Sequence, residues 1–280
     1  MLQTSICQQT GFAHLSDLPC LKLQYGAASA VISLYGAQLL SYQPTAENEV
    51  LWLSPKAQWR NQQAIRGGVP VCWPWFGPAS AIFNPQNISL PNHGLVRTKL
   101  WQVSSQQSSA DSVCVTLTIT VQDLPHVQGS ASLQLCVTLN DSLTLTLSCD
   151  SVMPQQAALH SYFTVNNLDS ALVRTLPASY QDKVNDTIVD DSSCAATFKA
   201  ETDRIYHQSA DQLWLEQAEQ LLYLSQGGHD ATVVWNPWQE KSSKMSDLYH
   251  DSYLQFVCVE TARLTTNSQA LALRQQLKRR

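Results

Sequence analysis

Residues 131–148 read Ala-Ser-Leu-Gln-Leu-Cys-Val-Thr-Leu-Asn-Asp-Ser-Leu-Thr-Leu-Thr-Leu-Ser, with apolar and polar side chains alternating on both sides of Asn140-Asp141. A period of two gives an extended chain one apolar and one polar face, and Asn-Asp between two such runs marks a turn. Residues 113–121 (VCVTLTITV) repeat the pattern, and residues 28–42 mix alternation with a break at Gly36. Further strands are predicted at 171–175, 221–225, 231–235 and 254–260. Helical periodicity is scarce. Residues 210–220 are the best short helix candidate, and 268–278 fits either helix or strand. Many strands, Pro/Gly punctuation and no alternating helices predict an all-β antiparallel sandwich. No linker, charge block or repeat interrupts the sequence, so a single domain over residues 1–280 is expected.

Hydrophobic residues make up 44% of the 280 positions, enough for one sizeable core. The formal net charge of −5 argues against nucleic acid as the main partner. Lys278-Arg279-Arg280, the only basic cluster, reads as a solvated end. An anionic substrate would therefore have to be met by a few local arginines. The eight cysteines form no C-x-x-C pair and several lie in apolar runs, as in Val257-Cys258-Val259. Free thiols of a reducing compartment are expected. The first residues show no signal-peptide pattern, and no apolar run approaches the roughly 20 residues of a membrane helix. A cytoplasmic location without a membrane partner is the expectation. Phosphate-loop, dinucleotide, zinc-protease and serine-hydrolase motifs are absent from the sequence.

Four segments differ from scaffold. Residues 65–78 (IRGGVPVCWPWFGP) hold three glycines, three prolines and two tryptophans, too many for a regular strand or helix. Such a loop can present Arg66 beside aromatic faces on which a sugar stacks, or it can simply be packed structure. Residues 91–101 place His93 and Arg97 around Gly94, which permits close backbone approach. His93 alone reads as a structural histidine or a catalyst. His160, in Ala157-Ala-Leu-His-Ser-Tyr-Phe163, is a candidate general acid near neutrality or a satisfied core histidine. Glu260 ends the apolar run 254–259, where burial raises a carboxylate's pKa; it is a site residue or a paired structural one.

Taken together these segments resemble the hexose-6-phosphate mutarotases, a branch of the aldose 1-epimerase superfamily. The matching runs are Leu51-Trp52-Leu53-Ser54, the Arg66-to-Gly77 loop, His93-Gly94-x-x-Arg97 and Leu159-His160-Ser161-Tyr162-Phe163. They continue with Tyr180-x-Asp182-Lys183, Glu201-x-Asp203-Arg204-Ile205-Tyr206, Trp235-Asn236-Pro237-Trp238 and Phe256-Val257-Cys258-Val259-Glu260. The resemblance implies a large twisted antiparallel β-sandwich, the galactose mutarotase-like supersandwich, with a sugar in an open cleft on one sheet. It implies His160 as general acid and Glu260 as general base, with Arg66, Asn92, His93, Arg97 and Asp203 contacting substrate. Asn92 stands where the family usually has Gln, and Asp182 is a weaker candidate, read as structural. Residues after Arg263 match poorly and are expected only to close the fold.

The implied reaction interconverts the α and β anomers of a hexose phosphate such as glucose 6-phosphate, in a monomer, with no metal or other cofactor. Arg66 and Arg97 suit a phosphate clamp, since guanidinium groups meet phosphate oxygens through paired charge-assisted hydrogen bonds. Alternatively one arginine holds ring hydroxyls and the other braces the loop. A mutarotase for unphosphorylated aldoses and a non-catalytic sugar-phosphate-binding regulatory protein are the competing functions.

Overall fold

The alternating segments become the strands of a nine-stranded antiparallel sheet in a computed structural model that describes residues 3–218 and 220–279. Val113–Val121, Ala131–Leu139 and Leu143–Pro154 pair in sequence order, the latter two around the predicted Asn140-Asp141 turn. Leu133, Leu135, Val137, Leu143, Leu145 and Leu147 are buried, while the Ser, Gln, Cys and Thr residues between them face outward. Burying each leucine contributes about 1.5–3 kcal/mol relative to leaving it in water, so a one-residue register slip would be costly.

A second sheet of eight strands covers the inner face. Its main path runs through Ser179–Asp182, Thr202–His207, Ala231–Asn236, Phe256–Arg263 and Ala157–Leu159, with Tyr162–Thr164 also pairing Phe256–Arg263. Val257, Val259 and Val234 of this sheet share one apolar cluster with Leu271, Leu273 and Leu277 of the first. A four-stranded meander, from Thr4–Phe12 to Leu39–Gln43, completes the fold. The predicted all-β antiparallel sandwich is what forms. No described helix is long and apolar enough to cross a membrane.

Three expectations change. Residue 219 lies outside the described residues, and the rest of 210–220 is not helical: Gln212–Gln217 and Gln220–Gly227 are paired strands. Leu213, Leu215 and Gln217 point inward and Trp214 and Glu216 outward, so strand alternation prevails over the helix propensity of Gln, Glu and Ala. The ambiguous 268–278 segment is the strand Ser268–Arg279. It does more than close the fold, lying inside the nine-stranded sheet between Leu143–Pro154 and Gln220–Gly227. The seven-residue α-helix Trp238–Lys244 was not anticipated; it follows a turn in which Asn236 Oδ1 accepts from the Trp238 amide.

Candidate active site

Strand Phe256–Arg263 is buried at every position because both of its faces are covered. Val257 and Val259 pack toward the nine-stranded sheet; Phe256 and Cys258 pack on the other side with Trp52, Tyr162 and Trp235. Two short strands lie antiparallel to it, pairing Leu159 with Thr261 and Tyr162 with Cys258. The ladder breaks at residues 160–161, yet the register is the same on either side. His160 therefore falls directly opposite Glu260, and its Nε2 lies 3.3 Å from Glu260 Oε1. Two residues a hundred positions apart become a cross-strand pair.

Both side chains are almost inaccessible, 7% and 1% exposed. His160 Nδ1 and Glu260 Oε2 have no hydrogen-bond partner among the described residues. Buried polar atoms are usually paired; His126, Tyr206 and His229 carry further exceptions. Burial first, with the neighbouring His93, Arg97 and Arg66 adding to it, holds the His160 imidazole well below its ordinary pKa. Burial, then the neighbouring Asp203, push the Glu260 carboxyl well above the usual carboxylate range.

The pair lines a cleft of about 550 Å³, within the range of small-molecule sites. Arg66, Asn92, His93, Arg97 and Asp203 line it too, so all seven sequence-predicted residues converge there. Arg66 donates from Nε to Asp247 Oδ2 at 2.9 Å and from Nη1 to the Tyr162 hydroxyl at 2.8 Å. Burial works against its charge, but Tyr162 and Asp247 outweigh it and raise its pKa. Arg97 donates from Nη2 to the Asn92 carbonyl at 3.0 Å. Both arginines also line an adjoining recess of about 200 Å³ with Gln63, Ala64 and Ser246. The Asp203 carboxyl is raised by burial against the opposing pull of Lys241 and Lys183.

The two loops owe their shape to glycine. His93 and Gly94 both have positive φ, 64° and 83°, and a Cβ on Gly94 would lie 1.9 Å from the Trp73 carbonyl oxygen. The Gly77 amide donates to His93 Nδ1 at 3.3 Å. Burial and the two arginines lower His93 to about 3, so its neutral ring carries the proton on Nε2 as a donor. Trp73 and Trp75, expected as possible stacking faces, are fully buried; their indoles donate to Gln155 and the Pro91 carbonyl. The aromatic faces on the cleft are Phe76 and Trp235 instead. Asp182 accepts three hydrogen bonds from Val184 and Asn185 and serves the turn.

The aldose 1-epimerase family profile matches residues 19–278. The chain belongs to the aldose 1-epimerase family. The chain is 34% identical over 258 residues to an Escherichia coli (strain K12) protein provisionally named glucose-6-phosphate 1-epimerase, covering 89% of this chain and 84% of that one. A Salmonella typhimurium protein with the same provisional name is 32% identical, over 92% and 87% of the two chains. A Salmonella typhimurium crystal structure described provisionally as a mutarotase superposes with a TM-score of 0.87 at 28% identity, over 98% of this chain and 96% of that one. Galactose 1-epimerase from Lactobacillus acidophilus shares the fold, with a TM-score of 0.74 at 14% identity over 100% and 99% of the chains. The match runs into strand Ser268–Arg279, beyond the motifs that carried the resemblance.

Sequence reasoning missed several residues of the cleft and its adjoining recess. Asp247 sits in Met245–Asp251, a stretch with no periodic pattern. Tyr162, Lys183 and Trp235 lie within the family-like motifs, where nothing in their spacing sets them apart. Lys183 and Lys241 bring the basic groups lining the cleft to four, with Arg66 and Arg97, against the acidic Asp203 and Glu260. An acidic protein thus has a locally basic cleft. A recess of about 460 Å³ by Tyr42, Asn140 and Arg279 holds no comparable acid–base pair.

Proposed function

We propose that this protein interconverts the α and β anomers of a phosphorylated hexose such as glucose 6-phosphate, without metal or other cofactor. The observation that carries this reading is the His160–Glu260 pair, 3.3 Å apart at a cleft lined by two arginines. Glu260 as carboxylate takes the proton of the C1 hydroxyl while His160 as imidazolium gives one to the ring oxygen. The C1–ring-oxygen bond breaks, leaving an aldehyde at C1 and a hydroxyl where the ring oxygen was. Rotation about C1–C2 presents the other face, and closure reverses both transfers. His93, Asn92 and Asp203 hold ring hydroxyls, and Arg66 and Arg97 hold the phosphate.

The pair shares one mobile proton. Burial above all, with Arg97 and Arg66 acting on His160 and Asp203 on Glu260, favours neutral imidazole beside carboxylic acid, which is the state that follows ring opening. A phosphate dianion seated on Arg66 and Arg97 offsets their contribution and so favours imidazolium at His160. Substrate charge thereby prepares the starting state, and an unphosphorylated sugar lacks this effect.

Exchange spectroscopy on glucose 6-phosphate, with catalytic amounts of protein, tests the reading. Acceleration is expected, reduced about a hundredfold or more in His160→Ala and in Glu260→Gln. Full turnover in either variant would refute the acid–base assignment. Binding without acceleration would favour the regulatory function. Equal acceleration of glucose and glucose 6-phosphate would favour a general aldose mutarotase.

A further inference from the structure

The inward row of strand Ser268–Arg279 reads Leu271, Leu273, Gln275, Leu277, a glutamine where the alternation calls for leucine. Gln275 is fully buried, where an unpaired amide would be costly. It is not unpaired. Gln275 Oε1 accepts from Ser161 Oγ at 2.6 Å, and its Nε2 donates to Thr261 Oγ1 at 2.9 Å. Thr261 Oγ1 then donates to Gln226 Oε1 at 3.0 Å. Gln226, which follows Leu222 and Leu224 in the inward row of its own strand, donates on to Thr232 Oγ1 at 2.8 Å. One directional chain of hydrogen bonds thus crosses the apolar space between the two sheets.

Its position gives it meaning. Ser161 follows His160 and Thr261 follows Glu260. Because successive side chains point to opposite faces, these two hydroxyls lie behind the pair that faces the cleft. Residues 160–161 are also where regular pairing with strand Phe256–Arg263 lapses, leaving the Val259 amide to the Ser161 carbonyl, at 3.2 Å, as the backbone link. We propose that Gln275 is a positioning residue for the reaction: it ties Ser161 to Thr261 across this gap and so holds His160 and Glu260 at their working separation. The inference rests on the acid–base reading above. The amide suits the task because one end accepts and the other donates, so it bridges two hydroxyls in fixed order.

The test is the double variant Ser161→Ala/Gln275→Leu, which completes the leucine row and leaves no donor unpaired, since Thr261 still donates to Gln226. Removing both partners of a buried hydrogen bond together can be nearly neutral for stability. Expected is a melting temperature close to wild type, unchanged KM for glucose 6-phosphate, and kcat lower by about tenfold, because misplacement well under 1 Å already costs rate. In a His160→Ala background the same two changes should lower the rate no further. Full kcat in a folded double variant overturns the proposal, as does an equal additional loss in the His160→Ala background. Should the double variant fail to fold, Ser161→Ala alone, which removes one end of the tie and leaves the Gln275–Thr261 bond in place, takes its place with the same readouts. Wild-type rate in His160→Ala itself would instead sink the acid–base reading, separating the two failures.

Discussion

The imidazole of His160 lies flat against the ring of Tyr162, with centroids 4.9 Å apart and planes within 8° of parallel. The Tyr162 hydroxyl meanwhile accepts from Arg66. One tyrosine thus orients the proposed acid with its face and a proposed phosphate ligand with its edge. Tyr162→Phe keeps the face and loses the edge. Titration of initial rates should show KM for glucose 6-phosphate raised about tenfold, as losing a hydrogen bond to a charged group implies, with kcat little changed. Tyr162→Leu should lower kcat as well.

Arg66 and Arg97 differ in how they are held, Arg66 by a carboxylate and a phenol and Arg97 by a backbone carbonyl. If both grip phosphate, Arg66→Ala and Arg97→Ala should each reduce kcat/KM for glucose 6-phosphate by about tenfold or more relative to glucose. Parallel assays on the two sugars check this, and an unchanged ratio would remove the clamp. Arg66→Ala also strands Asp247, so a lower melting temperature is expected in that variant alone.

The left-handed turn at His93-Gly94 is a backbone requirement. Gly94→Ala must place a methyl group against the Trp73 carbonyl at positive φ. The expected destabilisation is about 2–4 kcal/mol, combining backbone strain with overpacking. Chemical denaturation would measure it, and a change under about 0.5 kcal/mol would contradict the close approach.

Acid should destabilise the fold through its buried histidines. His93 is lowered to about 3 and His160 lies well below its ordinary value, so both stay neutral in the folded chain while the unfolded chain takes up protons below about 6.5. The unfolded state then binds more protons, and stability falls as pH drops from about 6.5 toward 3. Glu260 acts oppositely: protonated when folded and ionised when unfolded, it costs stability as pH rises above its unfolded value near 4.5. Melting temperatures between pH 7.5 and 5 should decline, and His93→Gln should flatten the decline.

How far the sequence could be read depends on which forces are local. Alternation at 113–121 and 131–148 is local, and those strands stand where it placed them. At 210–220 the helix-favouring composition was also local, but the inward Leu213 and Leu215 answer to a partner strand. For the site, Arg66, His93, His160 and Glu260 each carried a structural reading as good as the functional one. The motif resemblance, not spacing, selected them. The opposition of His160 to Glu260 depends on a register shared across a broken ladder, and Arg66–Asp247 joins positions 181 apart. Neither leaves a periodic trace. The buried indoles of Trp73 and Trp75 show the converse error, since an aromatic loop beside a sugar cleft can spend its rings on the core.

Strand Ser268–Arg279 has a consequence for how the chain comes into being. It separates Leu143–Pro154 from Gln220–Gly227, so the nine-stranded sheet remains two unjoined fragments until residues near 279 leave the ribosome. Contacts this distant along the chain form slowly, and open strand edges invite mispairing in the interval. Gln275, behind the proposed acid–base pair, arrives with this strand. A chain that stops short of this strand therefore lacks the Gln275 contacts to Ser161 and Thr261 behind the proposed pair.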